Sequence, residues 1–484
     1  MESMTGASFP ATLALVGVVV IVAGLLSGVV DRWRIPQVAV FLLLGLVLGA
    51  NGLGLVDFDI GSPVLLTIST LALVLVLFSD AVAVDIGAAR EHRGLTLRVL
   101  GPGTLLSAGL IALAAWGLLG LGPAPAAVLG AALASTDPVM MRGLLRGGDV
   151  SPAARQVLGL ESGLNDIVLL PVVLVAMEFM RGPGNGPPLG RMALDLFLLG
   201  PGAGVVIGFV GVALLDQVRR KLTVRRDYES LYALGVAFTA YAAAEAVHGS
   251  GFLAAFAAGL TIAAVDAELC DCFLDFGQAA AEMFLLFTFV ALGSSLIWTG
   301  LSGVTWAVLA FAVVALFARS AALAVALRGQ PLDVPSRRLI VWFGPRGLSS
   351  LLLVLLPVFA GLPGGERLFA PAALVVLLSV LIHGGSLALL GKGDDGHRKS
   401  VGPATPSPTP QREPGSERIT LDEIRRLEAS GERVRLLDVR RERAYRESDV
   451  KAKGAIRLSP EGNVARAAAE LALPRNDWLV AYCA

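Results

Sequence analysis

Residues 160–170 read LESGLNDIVLL, and they place Glu161, Asn165 and Asp166 in a run that is otherwise largely apolar from Val157 to Met180. On a helix Ser162 and Asp166 share one face, as do Glu161 and Asn165, and the two faces adjoin. The four polar side chains therefore form one stripe. A hard cation shedding its water needs several oxygen ligands. The Asp166 carboxylate, the Ser162 hydroxyl and the Asn165 amide are candidates to supply some of them.

Two further stretches carry ionisable groups at similar depth. ALASTDPVMM holds Thr136 and Asp137, and WFGPRGLSS holds Arg346. Pro138 lacks an N–H and clashes with the preceding turn, so it frees carbonyls near Ala134 and Ser135. Gly344-Pro345-Arg346-Gly347 is expected to interrupt its helix likewise. Paired interruptions in two halves of a chain point to a site at the membrane midplane of an inverted-repeat carrier. Taken singly, each residue is equally a packing device; together they favour an ion site. Arg346 is always protonated and needs a partner at this depth, with Glu161 the first choice and Asp137 the alternative. If Glu161 and Arg346 neutralise each other, Asp166 remains as the chargeable group. A carboxylate deprived of water takes up a proton near neutral pH, whereas a cation favours its ionised form. One group that holds either a proton or a monovalent cation is an exchanger. Because Asn165 is neutral, the expected exchange is electroneutral and one for one.

The elements that must position these residues follow from the rest of the chain. Of 484 residues 55% are hydrophobic and 16% charged, with a mean hydropathy of +0.72; a soluble chain would carry about a quarter charged residues. The apolar excess lies in about thirteen blocks, near 10–30, 35–50, 62–80, 97–119, 124–146, 157–180, 191–215, 227–247, 251–265, 280–298, 303–327, 337–359 and 368–391. Most of them approach the ~20 residues that a ~30 Å hydrocarbon core requires. The expected fold is an all-α polytopic membrane protein with inverted repeats and broken crossing helices. Asp166 lies about ten residues into its block, ~15 Å along a helix and close to the midplane. A charge there costs ~2.5–3.5 kcal/mol and is expected to face the bundle interior. Lys and Arg concentrate in the odd-numbered loops, whereas the even loops hold only Arg181, Arg191 and Arg367. That places the N-terminus outside and the C-terminus in the cytoplasm of an inner-membrane protein. The first block is too long for a signal-peptide core and reads as a span. Net charge is zero, which gives no hint of a nucleic-acid partner. Cys270-x-Cys272 lacks the spacing of a zinc site, and no cofactor is expected.

After Lys392 the composition turns polar and rich in Pro and Gly, which reads as a disordered linker over 392–417. From about 418 to 484, LDEIRRLEAS reads as a helix, VRLLDVR and WLVAYC as strands, and ARAAAELA as a helix, a small α/β pattern.

STDPV, ESGLND, AEAVHGSGFLAAFAAGL and GPRG occur in that order, and they resemble the monovalent cation/proton antiporter family, the sodium/proton exchangers, over residues 10–391. The resemblance implies a secondary transporter, not an enzyme. It further implies a homodimer with a mobile core bundle and elevator-type alternating access, moving Na⁺ (K⁺ or Li⁺ being the alternatives) against H⁺. It puts the cation-binding aspartate at Asp166, with Asn165 beside it, the coordinating serine at Ser162, and Thr136 and Asp137 on the kinked helix. It puts the structural ion pair at Glu161 and Arg346. Asn-Asp resembles the electroneutral branch. Gly163 and Pro345 depart from the usual pattern. Asp80 matches an acidic position of the third span and is a candidate for an ion funnel, or else an interfacial helix-end carboxylate. Arg319 is expected to snorkel to the end of its span, without a role. LLDVRRERAYRESDVKAKGAIRLS and LVAYCA resemble a rhodanese-like domain, with Asp438, Arg440, Gly454 and Ala455 on its early motif and Cys483 on its sulfur-carrying cysteine. The chain stops at Ala484, so a partial domain with a vestigial sulfur site is expected. The rival reading is a membrane-anchored sulfur or redox sensor.

Overall fold

The computed structural model describes chiefly residues 37–50, 62–84, 93–137, 151–182, 188–221, 226–265, 286–296, 304–330 and 332–390, and in the tail 430–440, 452–458 and 477–482. The chain forms two units, Met1–Arg398 and Lys399–Ala484.

The larger unit is helical. Among the described residues six helices are long and apolar enough to cross a membrane. They correspond to the blocks expected at 62–80, 97–119, 157–180, 191–215, 303–327 and 368–391. In chain order the helices are α1 (Gln37–Leu48), α2 (Pro63–Val82), α3 (Arg93–Leu119), α4 (Pro123–Ala134), α5 (Pro152–Met180) and α6 (Leu189–Arg219). There follow α7 (Arg226–Ala246), α8 (Gly251–Val265), α9 (Trp306–Ala326), α10 (Val334–Trp342), α11 (Leu348–Phe359) and α12 (Phe369–Leu390). Most of the first block, part of the tenth, Pro138 and the linker lie outside the described residues.

Local sequence sets many of the boundaries. Pro63, Pro123 and Pro152 open α2, α4 and α5, where a missing N–H costs nothing. Ser151, Thr305 and Asp333 accept the N–H of Ala154, Val308 and Ser336, capping α5, α9 and α10. Gly120, at φ 64°, ends α3 in the left-handed region and turns the chain tightly into α4. The turn expected at 248–251 is present: His248 adopts φ 63°, and Glu245 Oε1 accepts the N–H of Gly251 at 2.9 Å, capping α8.

The main apolar core joins α2, α4, α5, α9, α11 and α12, and a second core joins α2, α6, α7 and α8. The end of α4 and the start of α11 lie in the main core, and the end of α10 packs into a third cluster with α3, α5 and α9.

In the smaller unit three strands, β1 (Val434–Asp438), β2 (Ile456–Arg457) and β3 (Trp478–Tyr482), form a parallel sheet in the order β2-β1-β3. Parallel neighbours need crossover connections, in keeping with an α/β pattern. Arg440 grips Asp438 through Nη2–Oδ2 at 2.6 Å, and Tyr482 donates to the same carboxylate at 2.9 Å.

Candidate functional site

The site is built on two helices that stop short. α4 ends at Ala134, Ser135 turns extended (φ −61°, ψ 138°), and Ser135–Asp137 continue without helical structure. α10 ends at Trp342, and Phe343–Gly347 are likewise non-helical before α11 begins. A helix end leaves unpaired backbone groups, which in a membrane interior must find partners within the protein. The two breaks satisfy each other. The Asp137 N–H donates to Pro345 O at 2.9 Å, and the Ser350 hydroxyl donates to Ser135 O at 3.4 Å.

The glycines of GPRG are explained by close approach. A Cβ on Gly347 would overlap the Asp137 carboxylate, and a Cβ on Gly344 would lie 2.5 Å from Cδ, Nε and Cζ of Arg319. Each glycine leaves room for a charged side chain from another element.

α5 passes beside these breaks and brings its polar stripe to them. Ser135 Oγ donates to Asp166 Oδ1 at 2.8 Å, and Asn165 Nδ2 donates to Thr136 Oγ1 at 2.9 Å. Ser135, Thr136, Asp137, Asn165 and Asp166 are each buried, none more than 4% exposed. Asn165 Oδ1 has no hydrogen-bond partner among the described residues. A buried amide oxygen left unmatched is costly, and it lies next to a buried carboxylate. The local donor set is all oxygen, which suits a hard cation and not a soft metal.

Two expectations are corrected. Glu161 is not paired with Arg346. Its carboxylate is gripped bidentately by Arg319, Nε–Oε1 at 2.7 Å and Nη2–Oε2 at 2.6 Å, with both side chains about 5% exposed or less. Arg319 does not snorkel. It crosses over Gly344, and its Nη1 donates to Ile340 O at 3.1 Å, one of the orphan carbonyls at the end of α10. One guanidinium thus ties α5, α9 and α10 together. The reason for the exchange of partners is the geometry of the break. Arg346 is directed to Ala315 O at 3.0 Å, one turn before Arg319 on α9, so the nearer arginine takes the carboxylate. Nε and Nη1 of Arg346 have no hydrogen-bond partner among the described residues, although the side chain is 1% exposed. Its backbone N–H donates to Ser379 Oγ at 2.7 Å, and that oxygen sits 3.1 Å from His383 Nδ1 on α12. The Ser162 hydroxyl donates to Gly159 O at 3.2 Å.

Asp80 is half-buried near the end of α2, and its carbonyl lies 3.6 Å from where a Gly163 Cβ would stand, so it neighbours the polar stripe. Cys483 lies outside the described residues. Sequence reasoning missed Ser135 and Arg319. For Arg319 a signal existed: it stands about seven residues, ~10 Å, from the end of α9, too deep for its head to reach water easily.

Two interrupted helices meet backbone to backbone, and carboxylate, amide and hydroxyl groups gather at their junction, in the core of a chain with several membrane-length apolar helices. The chain belongs to the transmembrane sodium/hydrogen exchanger family, whose model matches residues 17–393. It is 30% identical over 376 residues to the K(+)/H(+) antiporter NhaP2 of Shewanella sp. (strain MR-4), covering 76% of this chain and 64% of that protein. It is 27% identical over 390 residues to the K(+)/H(+) antiporter NhaP of Alkalimonas amylolytica, covering 78% of this chain and 66% of that protein. The match thus spans somewhat less than two thirds of these relatives' length. The fold is similar to that of the sodium proton antiporter MjNhaP1 from Methanocaldococcus jannaschii, with a TM-score of 0.66 at 18% identity, covering 79% of this chain and 98% of that one.

Proposed function

We propose that the protein is a secondary antiporter that exchanges a monovalent cation for H⁺, one for one, through Asp166. The observation that carries this reading is a buried carboxylate at the junction of two broken helices, beside an amide oxygen with no hydrogen-bond partner among the described residues. Glu161 is neutralised by Arg319, and Asp137 and Arg346 carry opposite charges at the two breaks, so Asp166 is the carboxylate offered to a proton or a cation, with Asp80 proposed to serve the ion funnel beside it. A proton on Asp166 removes the charge that attracts the cation, and a bound cation repels the proton. Thr136 and Asn165 complete the oxygen set, and Asp137 adds its field at the break. Ser162, whose hydroxyl donates to Gly159 O, keeps its oxygen lone pairs to offer the cation.

Na⁺ is the proposed cation, with K⁺ and Li⁺ as alternatives; relatives described as K(+)/H(+) antiporters and a structural neighbour described as a sodium proton antiporter give reason to test all three. We further propose a homodimer in the inner membrane, about thirteen spans arranged as inverted repeats, the N-terminus outside and the tail in the cytoplasm. The tail, with its parallel three-stranded sheet, is read as a rhodanese-like unit. The test is proton flux in proteoliposomes after addition of Na⁺, K⁺ or Li⁺, wild type beside Asp166→Asn. The proposal requires cation-dependent flux that the variant abolishes; flux that survives in Asp166→Asn overturns it.

A further inference from the structure

Ser135 opens the STDPV stretch, where no role was assigned to it, and its side chain hydrogen-bonds Asp166. It is fully buried, and its hydroxyl lies 2.8 Å from Asp166 Oδ1. A serine inside a helix commonly returns its hydrogen to a carbonyl of its own preceding turn, as Thr261 does to Ala257 O in α8. Ser135 is released from that habit because α4 has just ended and its backbone is extended. Its carbonyl is in turn held by Ser350 of α11. The hydroxyl is thereby fixed from both broken helices, and it faces a carboxylate carried by a third.

We propose that Ser135 is a positioning residue that sets the balance between proton and cation at Asp166. The inference rests on the exchange reading above. A hydroxyl donating to a carboxylate oxygen stabilises the ionised form. In a buried site such a bond to a charged group is stronger than one between neutral groups. While Ser135 holds Oδ1, proton and cation contend for the remaining oxygen, Oδ2. Loss of the hydroxyl leaves Oδ1 bare, so the proton is held more tightly and the cation displaces it only at higher pH. The charged groups on the elements around Asp166 are Asp137 at the α4 break, Asp80 on α2, Arg346 at the α10–α11 break and the Glu161–Arg319 pair. The neighbouring elements also carry Arg155 and Glu178 on α5, Arg93 and Arg98 on α3, and Arg337 and Arg338 on α10. None of these is altered by the substitution, so a change in pH dependence is attributable to the hydroxyl.

The experiment is the pH profile of cation-driven proton flux in proteoliposomes for wild type, Ser135→Ala, Ser135→Thr and Ser135→Cys, each with the apparent KM for the cation at fixed pH. Ser135→Ala is expected to move the acidic limb of the profile to higher pH by about one to two units, with apparent KM at a pH on that limb raised about tenfold or more. Ser135→Thr keeps a hydroxyl and is expected to stay within a few tenths of a unit of wild type; Ser135→Cys, a weaker donor, should fall between. An alanine variant whose limb stays in place overturns the inference, as does a threonine or cysteine variant displaced as far as alanine. If Ser135→Ala does not fold, the threonine and cysteine variants decide by that same ordering. Failure here is separable from failure of the exchange reading: Asp166→Asn that abolishes flux while Ser135→Ala leaves the profile unchanged sinks only the role of Ser135, whereas Asp166→Asn that still exchanges sinks both.

Discussion

The Glu161–Arg319 pair makes a prediction that distinguishes it from the pairing suggested by sequence. Two charge-assisted bonds, 2.7 and 2.6 Å long, join side chains that are 5% and 4% exposed. Removing one partner strands the other as a buried charge, which costs about 3–5 kcal/mol, whereas replacing both by apolar groups of similar volume is often neutral. Arg319→Met and Glu161→Leu should each destabilise by about that amount, and the double variant should recover most of the loss. Arg346→Met combined with Glu161→Leu should be close to additive, because Arg346 donates to Ala315 O and not to Glu161. For a chain of this length, each kcal/mol corresponds to roughly 1–2 °C in melting temperature, given ~2–4 °C for smaller domains. The single variants should therefore melt about 3–10 °C below wild type in detergent, measured by scanning fluorimetry at fixed lipid and detergent. Recovery in the Glu161/Arg346 double variant, with none in the Glu161/Arg319 variant, would refute the assignment.

Other predictions follow from the same contacts. Gly344→Ala should mimic loss of Arg319, because the new methyl takes the space through which the guanidinium passes; a purified Gly344→Ala protein melting within 1 °C or so of wild type counts against it. Gly347→Ala should displace the Asp137 carboxylate and lower transport more than stability, read as flux per folded protein. Glu245→Ala removes the cap from α8 and should cost about 1–2 kcal/mol without altering cation preference. In the tail, the Arg440 guanidinium holds the Asp438 carboxyl below the usual carboxylate range, with Tyr482 assisting. A carboxylate more acidic when folded than unfolded contributes stability above about pH 4, and that contribution fades as pH falls through and below this range. Hydrogen exchange at residues 434–438 of the full chain, corrected for intrinsic rates, should thus be slow at neutral pH and quicken below about pH 4. In Asp438→Asn it should already be fast at neutral pH.

Much of the site was legible because membrane insertion makes polarity expensive. Asp166, Asn165, Thr136 and Asp137 stand out against apolar sequence, and the interruptions after Ala134 and Trp342 were foreseen from Pro138 and from Gly344-Pro345. What was not legible depends on where side chains point once a helix has stopped. The 3.6-residue period places Ser162 on the face of Asp166, yet a hydroxyl can satisfy itself within its own turn, and Ser162 does so with Gly159 O. No periodic rule applies to Ser135, in extended backbone. Arg319 was misread because snorkelling is the habit of arginines near helix ends; applying to it the depth argument used for Asp166 leads to a buried partner. Which of two arginines takes Glu161 is decided by a tertiary detail, the absence of a Cβ at Gly344.

The bond from Asp137 N–H to Pro345 O has a consequence for biogenesis. The donor is synthesised with the first half of the chain and the acceptor with the second, so on emergence from the ribosome the first interruption has no mate. Until the later segment arrives, that amide must be sheltered by the insertion machinery or by water. The first half released alone into lipid is therefore a poor folding unit, and co-expressed halves should assemble only if the second enters the bilayer before the first is degraded.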